Sequence, residues 1–153
     1  MSTTFATRDE AAADRIRAHH AHMAADLERL VDAVAASGDG DFDGARDLLV
    51  RWLRTELAPH AAGEEQTFYP AAASTEAGRL LIAGMTAEHG VILGLVDQVE
   101  QAEDRASAAA WAGALLRVFA GHAEKENDLV LPLLVAEPDI DLAKLLHEMH
   151  SAH

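Results

Sequence analysis

The chain contains no cysteine among its 153 residues. This absence excludes disulfide bonds, thiolate metal sites and cysteine nucleophiles. Aromatic residues make up only 5% of the chain and proline occurs four times, whereas alanine is abundant. Because alanine has the highest helix propensity of all residues, the composition predicts an all-α protein.

Basic residues are also scarce, with 12 Lys and Arg against 26 Asp and Glu and a net charge of −14. Binding to nucleic acid depends on clustered basic residues, so we expect no nucleic-acid partner. The first residues, MSTTFATRDE, lack the charged start and apolar run of a signal peptide. No apolar stretch approaches the roughly 20 residues of a membrane helix. We therefore expect a soluble, cytoplasmic protein without a membrane partner.

The length predicts a single domain. Turn-forming residues between the helical segments divide this domain into four long helices and a short fifth. The long helices are expected at residues 8–36, 41–70, 76–103 and 107–136, with Ser107 as the N-cap of the fourth. Short connections make successive helices antiparallel. The sequence thus predicts an up-down-up-down four-helix bundle over residues 8–136, followed by a short helix within residues 137–153.

Residues spaced three or four apart define one inward-facing stripe on each long helix. The predicted stripes are Ile16, His20, Met23, Leu27, Leu30, Val34; Leu49, Leu53, Leu57, His60, Glu64, Phe68; Ile82, Met85, His89, Ile92, Val96, Val99; and Leu115, Val118, His122, Glu126, Leu129, Leu133. Every stripe contains one histidine, and the second and fourth add one glutamate. At a rise of about 1.5 Å per residue, the four histidines fall near one level of the bundle.

A repeat carries both glutamates, since HAAGEEQTFYP at residues 60–70 returns as HAEKENDLVLP at residues 122–132. Histidine and glutamate four residues apart share one face of a helix. Buried together without partners, such groups would be costly, and coordination of metal ions removes that cost. Glu64 and Glu126 are expected to meet at the bundle axis and bridge two ions. Nitrogen and oxygen ligands without sulfur suit iron, manganese or zinc.

Several polar residues near this set leave alternatives open. His20 fits the apolar face of its helix best, His19 is the second choice, and His22 lies outside. Glu65 is expected to be solvated, with an open alternative in which it reaches the site. Glu88 lies off the stripe, either beside the ligands or at the surface.

The remaining histidines and aromatic residues fit ordinary structural roles. His147, His150 and His153 are expected to form the polar face of the terminal helix, because HEMH lacks the spacing of the H-E-x-x-H zinc motif. Packing roles are expected for Trp52, Trp111, Phe68 and Phe119. A ferritin-like di-iron oxidase needs Glu-x-x-His pairs, and none of the nine histidines has a glutamate three residues before it.

The pattern H…HxxxE…H…HxxxE over about residues 10–135 resembles the hemerythrin-like, or HHE cation-binding, family. The resemblance implies a non-haem di-iron centre of two iron ions, which an oxo or hydroxo group can bridge. Its ligands would be His20, His60, Glu64, His89, His122 and Glu126.

The resemblance departs from the O2-carrying hemerythrins at two ligand positions, which Leu93 and Asn127 occupy here. It therefore points to binding of, or reaction with, O2, hydrogen peroxide or nitric oxide, including a catalase- or peroxidase-like activity. The alternative is a non-catalytic sensor of oxygen or iron, or a simple metal-binding module. A metal-free structural bundle is the remaining hypothesis.

Overall fold

Eight α-helices cover most of residues 2–151, the part of the chain that this computed structural model describes. In chain order they are α1 (Ser2–Ala36), α2 (Phe42–Trp52), α3 (Ala58–Gln66), α4 (Phe68–Ala73), α5 (Glu76–Gln101), α6 (Arg105–Lys125), α7 (Leu131–Ala136) and α8 (Leu142–Ser151). A first π-helical turn, Leu53–Leu57, joins α2 to α3, and a second, Glu126–Val130, joins α6 to α7. No strand occurs within these residues.

Seven of these helices build four long rods, formed by α1, by α2 to α4, by α5, and by α6 with α7. The rod of α1 packs against α2 and α6, while α5 packs against α4 and α6. The short helix α8 lies on α1 and α3. The predicted all-α four-helix bundle with a fifth short helix is therefore confirmed.

Proline explains where the second and fourth rods depart from regular α-helix. A proline has no N–H, and its ring clashes with the carbonyl four residues earlier. The carbonyls that Pro59 and Pro132 would meet lie within the two π turns, whose wider winding relieves the clash. Pro70 instead follows a break at Thr67, which has φ −125° and ψ −77°.

Side-chain caps define the starts of α5 and α6. Thr75 Oγ1 accepts a hydrogen bond from the Gly78 N–H at 2.9 Å. Asp104 Oδ1 accepts one from the Ser107 N–H at 2.8 Å. The N-cap of α6 is thus Asp104, and the prediction of Ser107 was wrong. Ser107 is the third helical residue, whose N–H a cap characteristically satisfies.

The second π turn also changes which residues of the fourth rod face the core. The predicted core residue Leu129 is 50% exposed and Leu133 is only half-buried, whereas Val130 and Leu134 are fully buried. A π turn contains an extra residue, so the buried stripe moves forward by one position beyond Glu126. The 3–4 spacing alone did not predict this shift.

Two smaller departures occur elsewhere in the predicted stripes. Leu30 and Val118 are half-buried, and the neighbouring Val31 and Phe119 take the buried positions. The expected packing role of Trp111 is contradicted by its exposure of 41%. The other predicted apolar stripe residues are all buried.

The histidine level lies between two apolar clusters. On each rod, one apolar residue precedes the candidate ligands in the buried stripe and another follows them. One of these two residues lies in the first cluster and the other lies in the second. One cluster contains Met23, Leu57, Ile92 and Phe119, and the other contains Ile16, Phe68, Met85 and Val130. The bundle therefore holds a polar layer across its core.

Helix α5 corrects one expectation about apolar runs. It is long and apolar enough to cross a membrane by length and composition alone, with a mean hydropathy of 1.4 over 18 residues. Core helices of soluble proteins meet the same criterion. Here α5 carries a buried row from Ile82 to Val99 that includes His89.

Candidate metal centre

The polar layer contains the six candidate ligands named from the sequence, and they form two overlapping groups. The first group is His20, His60, Glu64 and Glu126, and the second is Glu64, His89, His122 and Glu126. Within each group, one possible ligand atom from every residue lies within 4.8 Å of the others. Glu64 and Glu126 belong to both groups.

Burial separates His20 from its two neighbours on α1. His20 is buried in the layer, whereas His19 and His22 are exposed. The side chain of His60 is 11% exposed, and the other five residues of the layer are buried. The structure thus brings His20 into the cluster and leaves His22 outside it, beside Asp26.

Glu64 stands between histidines of three rods. Its Oε1 lies 3.5 Å from Nε2 of both His60 and His89. Its Oε2 lies 3.9 Å from Nε2 of His20. Burial opposes ionisation of this carboxylate, but the charge of His60 and hydrogen bonds from neighbouring groups lower its pKa overall.

Glu126 completes the layer at the start of the second π turn. Its Oε1 lies 2.5 Å from His122 Nε2, and its Oε2 lies 3.4 Å from His20 Nε2. Burial, followed by the charge of Glu64, raises its pKa well above the usual range. The pKa values of the two carboxylates are therefore shifted in opposite directions, with ionisation favoured at Glu64 and opposed at Glu126.

The outer nitrogens of three histidines have oxygen partners of their own. The Nδ1 atoms of His20, His89 and His122 lie 2.7 Å from Asn127 Oδ1, 2.8 Å from Glu65 Oε1 and 2.9 Å from Glu88 Oε1, respectively. Since these oxygens accept, each Nδ1 donates, and in a neutral imidazole the lone pair of Nε2 is then directed at the layer. Such partners fix the tautomer and the ring orientation of metal-binding histidines.

The sequence analysis left the roles of these three partners of the Nδ1 atoms open or did not predict them. Glu65 keeps its side chain 43% exposed yet reaches His89. Glu88 binds His122 and also pairs with Lys125, as one of the two alternatives for it anticipated. Asn127, noted only as a departure from the O2 carriers, accepts from His20. None of the three lies on a buried stripe, so periodicity gave no signal for them.

Tyr69 also reaches the polar layer, and the sequence analysis did not predict this. Its hydroxyl donates to Glu126 Oε1 at 3.1 Å and lies 3.2 Å from His89 Nε2 and 3.1 Å from His122 Nε2. Burial, followed by the charges of Glu64 and Glu126, raises the pKa of Tyr69, so the phenol keeps its proton. The available signal was that the only tyrosine of the chain lies inside the repeat.

Replacing Tyr69 by phenylalanine should destabilise the metal-free protein by about 1–3 kcal/mol, the usual cost of an unsatisfied buried polar group. The ring volume is conserved, so the loss isolates the hydroxyl that contacts Glu126, His89 and His122. Urea denaturation of the chelator-treated wild type and variant measures this difference in the free energy of unfolding. Equal stability of the two metal-free proteins would show that the hydroxyl contributes nothing to the layer.

One atom of the layer indicates that the cluster suits a cation. Among the described residues, His20 Nε2 is the one buried side-chain nitrogen or oxygen without a hydrogen-bond partner. Burial lowers the pKa of His20, and also that of His122, which keeps both imidazoles neutral at pH 7. A neutral imidazole that directs a free lone pair towards carboxylates is a metal-binding arrangement. The donor set therefore fits metal ions bound through nitrogen and oxygen.

An apolar cavity adjoins the layer. Apart from the six candidate ligands it is lined by Leu57, Ala61, Ile92, Leu93, Phe119 and Ala123. Its volume of about 10 Å³ is close to the space that one water molecule needs. Leu93 is the most exposed of these lining residues. The cavity therefore admits only a small molecule and presents no polar side chain outside the layer.

The terminal histidines differ from one another in their surroundings. His147 is exposed on α8. His150 lines a second cavity together with His19 and His60. His153 lies outside the described residues.

Comparison with known protein families gave one match: the family described as hemerythrin HHE cation binding domain matches residues 11–134. Comparison with curated proteins and with solved structures gave no match. The matched residues include all six candidate ligands together with Tyr69.

Proposed function

We propose, from the premise that this chain belongs to the hemerythrin HHE cation-binding family, that its polar layer holds two iron ions. These ions would bind or react with O2, hydrogen peroxide or nitric oxide. The observation that carries the proposal is the membership of Glu64 and Glu126 in both ligand groups. Two carboxylates shared between two pairs of histidines suit a pair of ions better than one ion.

Family membership supports iron, because the nitrogen and oxygen donors also suit manganese and zinc. When bound, iron would supply redox chemistry and Lewis acidity. With two histidines and two shared carboxylates for each ion, the chain leaves coordination positions open. Leu93 contributes no ligand at one of the two positions that supply donors in the O2 carriers, and Asn127 directs its oxygen to His20.

The protein's own residues prepare the site for a small ligand. Asn127, Glu65 and Glu88 orient three imidazoles through their outer nitrogens. Tyr69 holds a proton at its hydroxyl, 3.1 Å from Glu126 Oε1. A proton at this position can be donated to an oxygen atom of a ligand within the layer.

The apolar cavity supports a neutral ligand of few atoms. Its lining by Leu93, Ile92 and Phe119 offers no partner to a charged group, and burial of an unpaired charge is costly. O2, nitric oxide and hydrogen peroxide are small and uncharged at pH 7. We further propose a cytoplasmic location and the absence of a nucleic-acid partner, and the net charge of −14 supports the second of these.

Peroxide consumption tests the catalytic proposal. Iron-loaded protein should consume hydrogen peroxide at a rate proportional to its iron content. Glu126→Gln should lower that rate by about tenfold or more, because weakening one shared ligand removes stabilisation worth at least about 1.4 kcal/mol. Glu124→Gln is the matched control, since Glu124 is exposed and lies two residues away on α6.

Equal rates of peroxide consumption for Glu126→Gln and Glu124→Gln would show that turnover does not depend on the polar layer. A stable, fully reversible oxy form without peroxide turnover would favour the second candidate function, a sensor. The observation in favour of a sensor is that α8 packs on α1 and α3, which carry His20 and His60. A change in the layer could then be transmitted to α8.

A further inference from the structure

A second cavity lies beneath α8 and adjoins the layer at His60. Three histidines line it, His19 from α1, His60 from α3 and His150 from α8. The remaining lining residues are apolar: Ile16, Phe68, Leu146 and Met149. Its volume is about 20 Å³, enough for one water molecule or one ion. No residue of the layer other than His60 borders this cavity.

His60 connects the cavity with the layer. It is the only one of the six candidate ligands whose side chain is not fully buried. The centroid of its ring lies 5.3 Å from that of His19 on the outer side and 5.3 Å from that of His20 on the inner side. The three imidazoles therefore form a row from the exposed His19 to the buried His20, whose Nε2 has no hydrogen-bond partner.

The two cavities differ in what they offer to a cation. An ion entering past Leu93 and Phe119 would lose water ligands without replacement, because that lining has no polar side chain outside the layer. Removing water from an unpaired charge is very costly. In the cavity beneath α8, imidazoles can replace the lost water ligands one at a time, and imidazole suits iron, zinc, copper and nickel ions.

We infer that divalent transition-metal ions enter and leave the layer through the cavity beneath α8. His150 and His19 act as successive transient ligands, and His60 receives the ion. This inference rests on the proposed metal centre and assigns a role to two histidines that are not ligands of the final site. The apolar cavity then serves the small neutral ligand, so that ion and ligand use different routes.

Cobalt uptake by metal-free protein tests the route without any measurement of activity. Co²⁺ is mixed with the protein under anaerobic conditions, and the visible bands of bound cobalt are followed by stopped flow. His19→Ala and His150→Ala should each slow uptake by about tenfold, which corresponds to a loss of about 1.4 kcal/mol of stabilisation in the transition state for passage. His22→Ala and His147→Ala are matched controls on α1 and α8, since both residues are exposed and line neither cavity.

Release into excess chelator gives the decisive second measurement. A group that only assists passage changes the rates of entry and release by the same factor and leaves the affinity unchanged. The His19→Ala and His150→Ala proteins should therefore release cobalt about tenfold more slowly, at unaltered final occupancy, because the same barrier is raised in both directions. Circular dichroism verifies the fold, which substitution of these exposed residues by alanine should preserve.

Four results would overturn the inference. Uptake at the wild-type rate by all four variants would exclude this route while leaving the metal centre intact. Faster release with weaker binding in His19→Ala or His150→Ala would make that residue a permanent ligand. Equal slowing of cobalt uptake in these two variants and in the two controls would show that removal of any histidine slows uptake, whatever its position. A wild-type protein that takes up no cobalt would overturn the proposed centre itself, and the route with it.

Discussion

Replacing His122 by alanine should remove at least one of two metal ions from each chain. The Nε2 atom of His122 lies 2.5 Å from Glu126 Oε1 within the second ligand group. Loss of the His122 imidazole leaves that group with one histidine and two carboxylates. Water would fill the space that the imidazole occupied. His60→Ala should have the same effect on the first group. Metal analysis of protein purified from iron-replete cells gives the number of ions, with about two per wild-type chain expected.

His22→Ala provides the control for this experiment, because His22 is exposed on α1 and pairs with Asp26. It should retain both ions, and so should His153→Ala. If His22→Ala lost as much metal as His122→Ala, the assignment of the ligands would be wrong. A wild-type protein containing one ion would contradict the bridging role of Glu64 and Glu126.

Removal of metal should lower the melting temperature by about 10 °C. Ligands that bind only the folded state stabilise it, by about 4 kcal/mol at a thousandfold excess over the dissociation constant. For a chain of this length, 1 kcal/mol corresponds to about 2–4 °C. Without metal, four imidazoles and two carboxylates remain in the core with only partial compensation, as the unpartnered His20 Nε2 shows.

Differential scanning calorimetry of holo and chelator-treated protein measures this difference at neutral pH. The same comparison on His122→Ala should give a smaller difference, because that variant binds less metal. Equal melting temperatures for wild-type holo and metal-free protein would show that metal binding is not linked to folding.

Periodicity predicted the fold and the members of the layer, because both depend on which helix face is buried. The choice of His20 over His19 followed from the spacing to Ile16 and Met23 alone. The same reasoning placed Leu129 inside, where the structure has Val130. An i-to-i+4 pattern assumes regular winding, and the clash of Pro132 with an upstream carbonyl is a local steric effect that breaks the assumption.

Contacts between rods account for what the sequence did not predict at the site. Tyr69 reaches the layer only because the second rod breaks at Thr67 and begins a new helix at Phe68. Glu88 on α5 reaches His122 on α6, and Asn127 in the second π turn reaches His20 on α1. Such pairs depend on the relative rotation of neighbouring helices, which the pattern within a single helix does not determine.

The two π turns also decide where this chain can change length. A π turn is equivalent to an α-helix with one inserted residue, so deletion of the exposed Leu129, combined with replacement of Pro132 to remove its clash, would restore ordinary winding while Glu126 and Val130 kept their faces. A one-residue deletion within α5, which has no such turn, would rotate every later residue by about 100° and carry His89 out of step with Val96. Related chains should therefore gain or lose single residues at the π turns and keep the length of α5 constant.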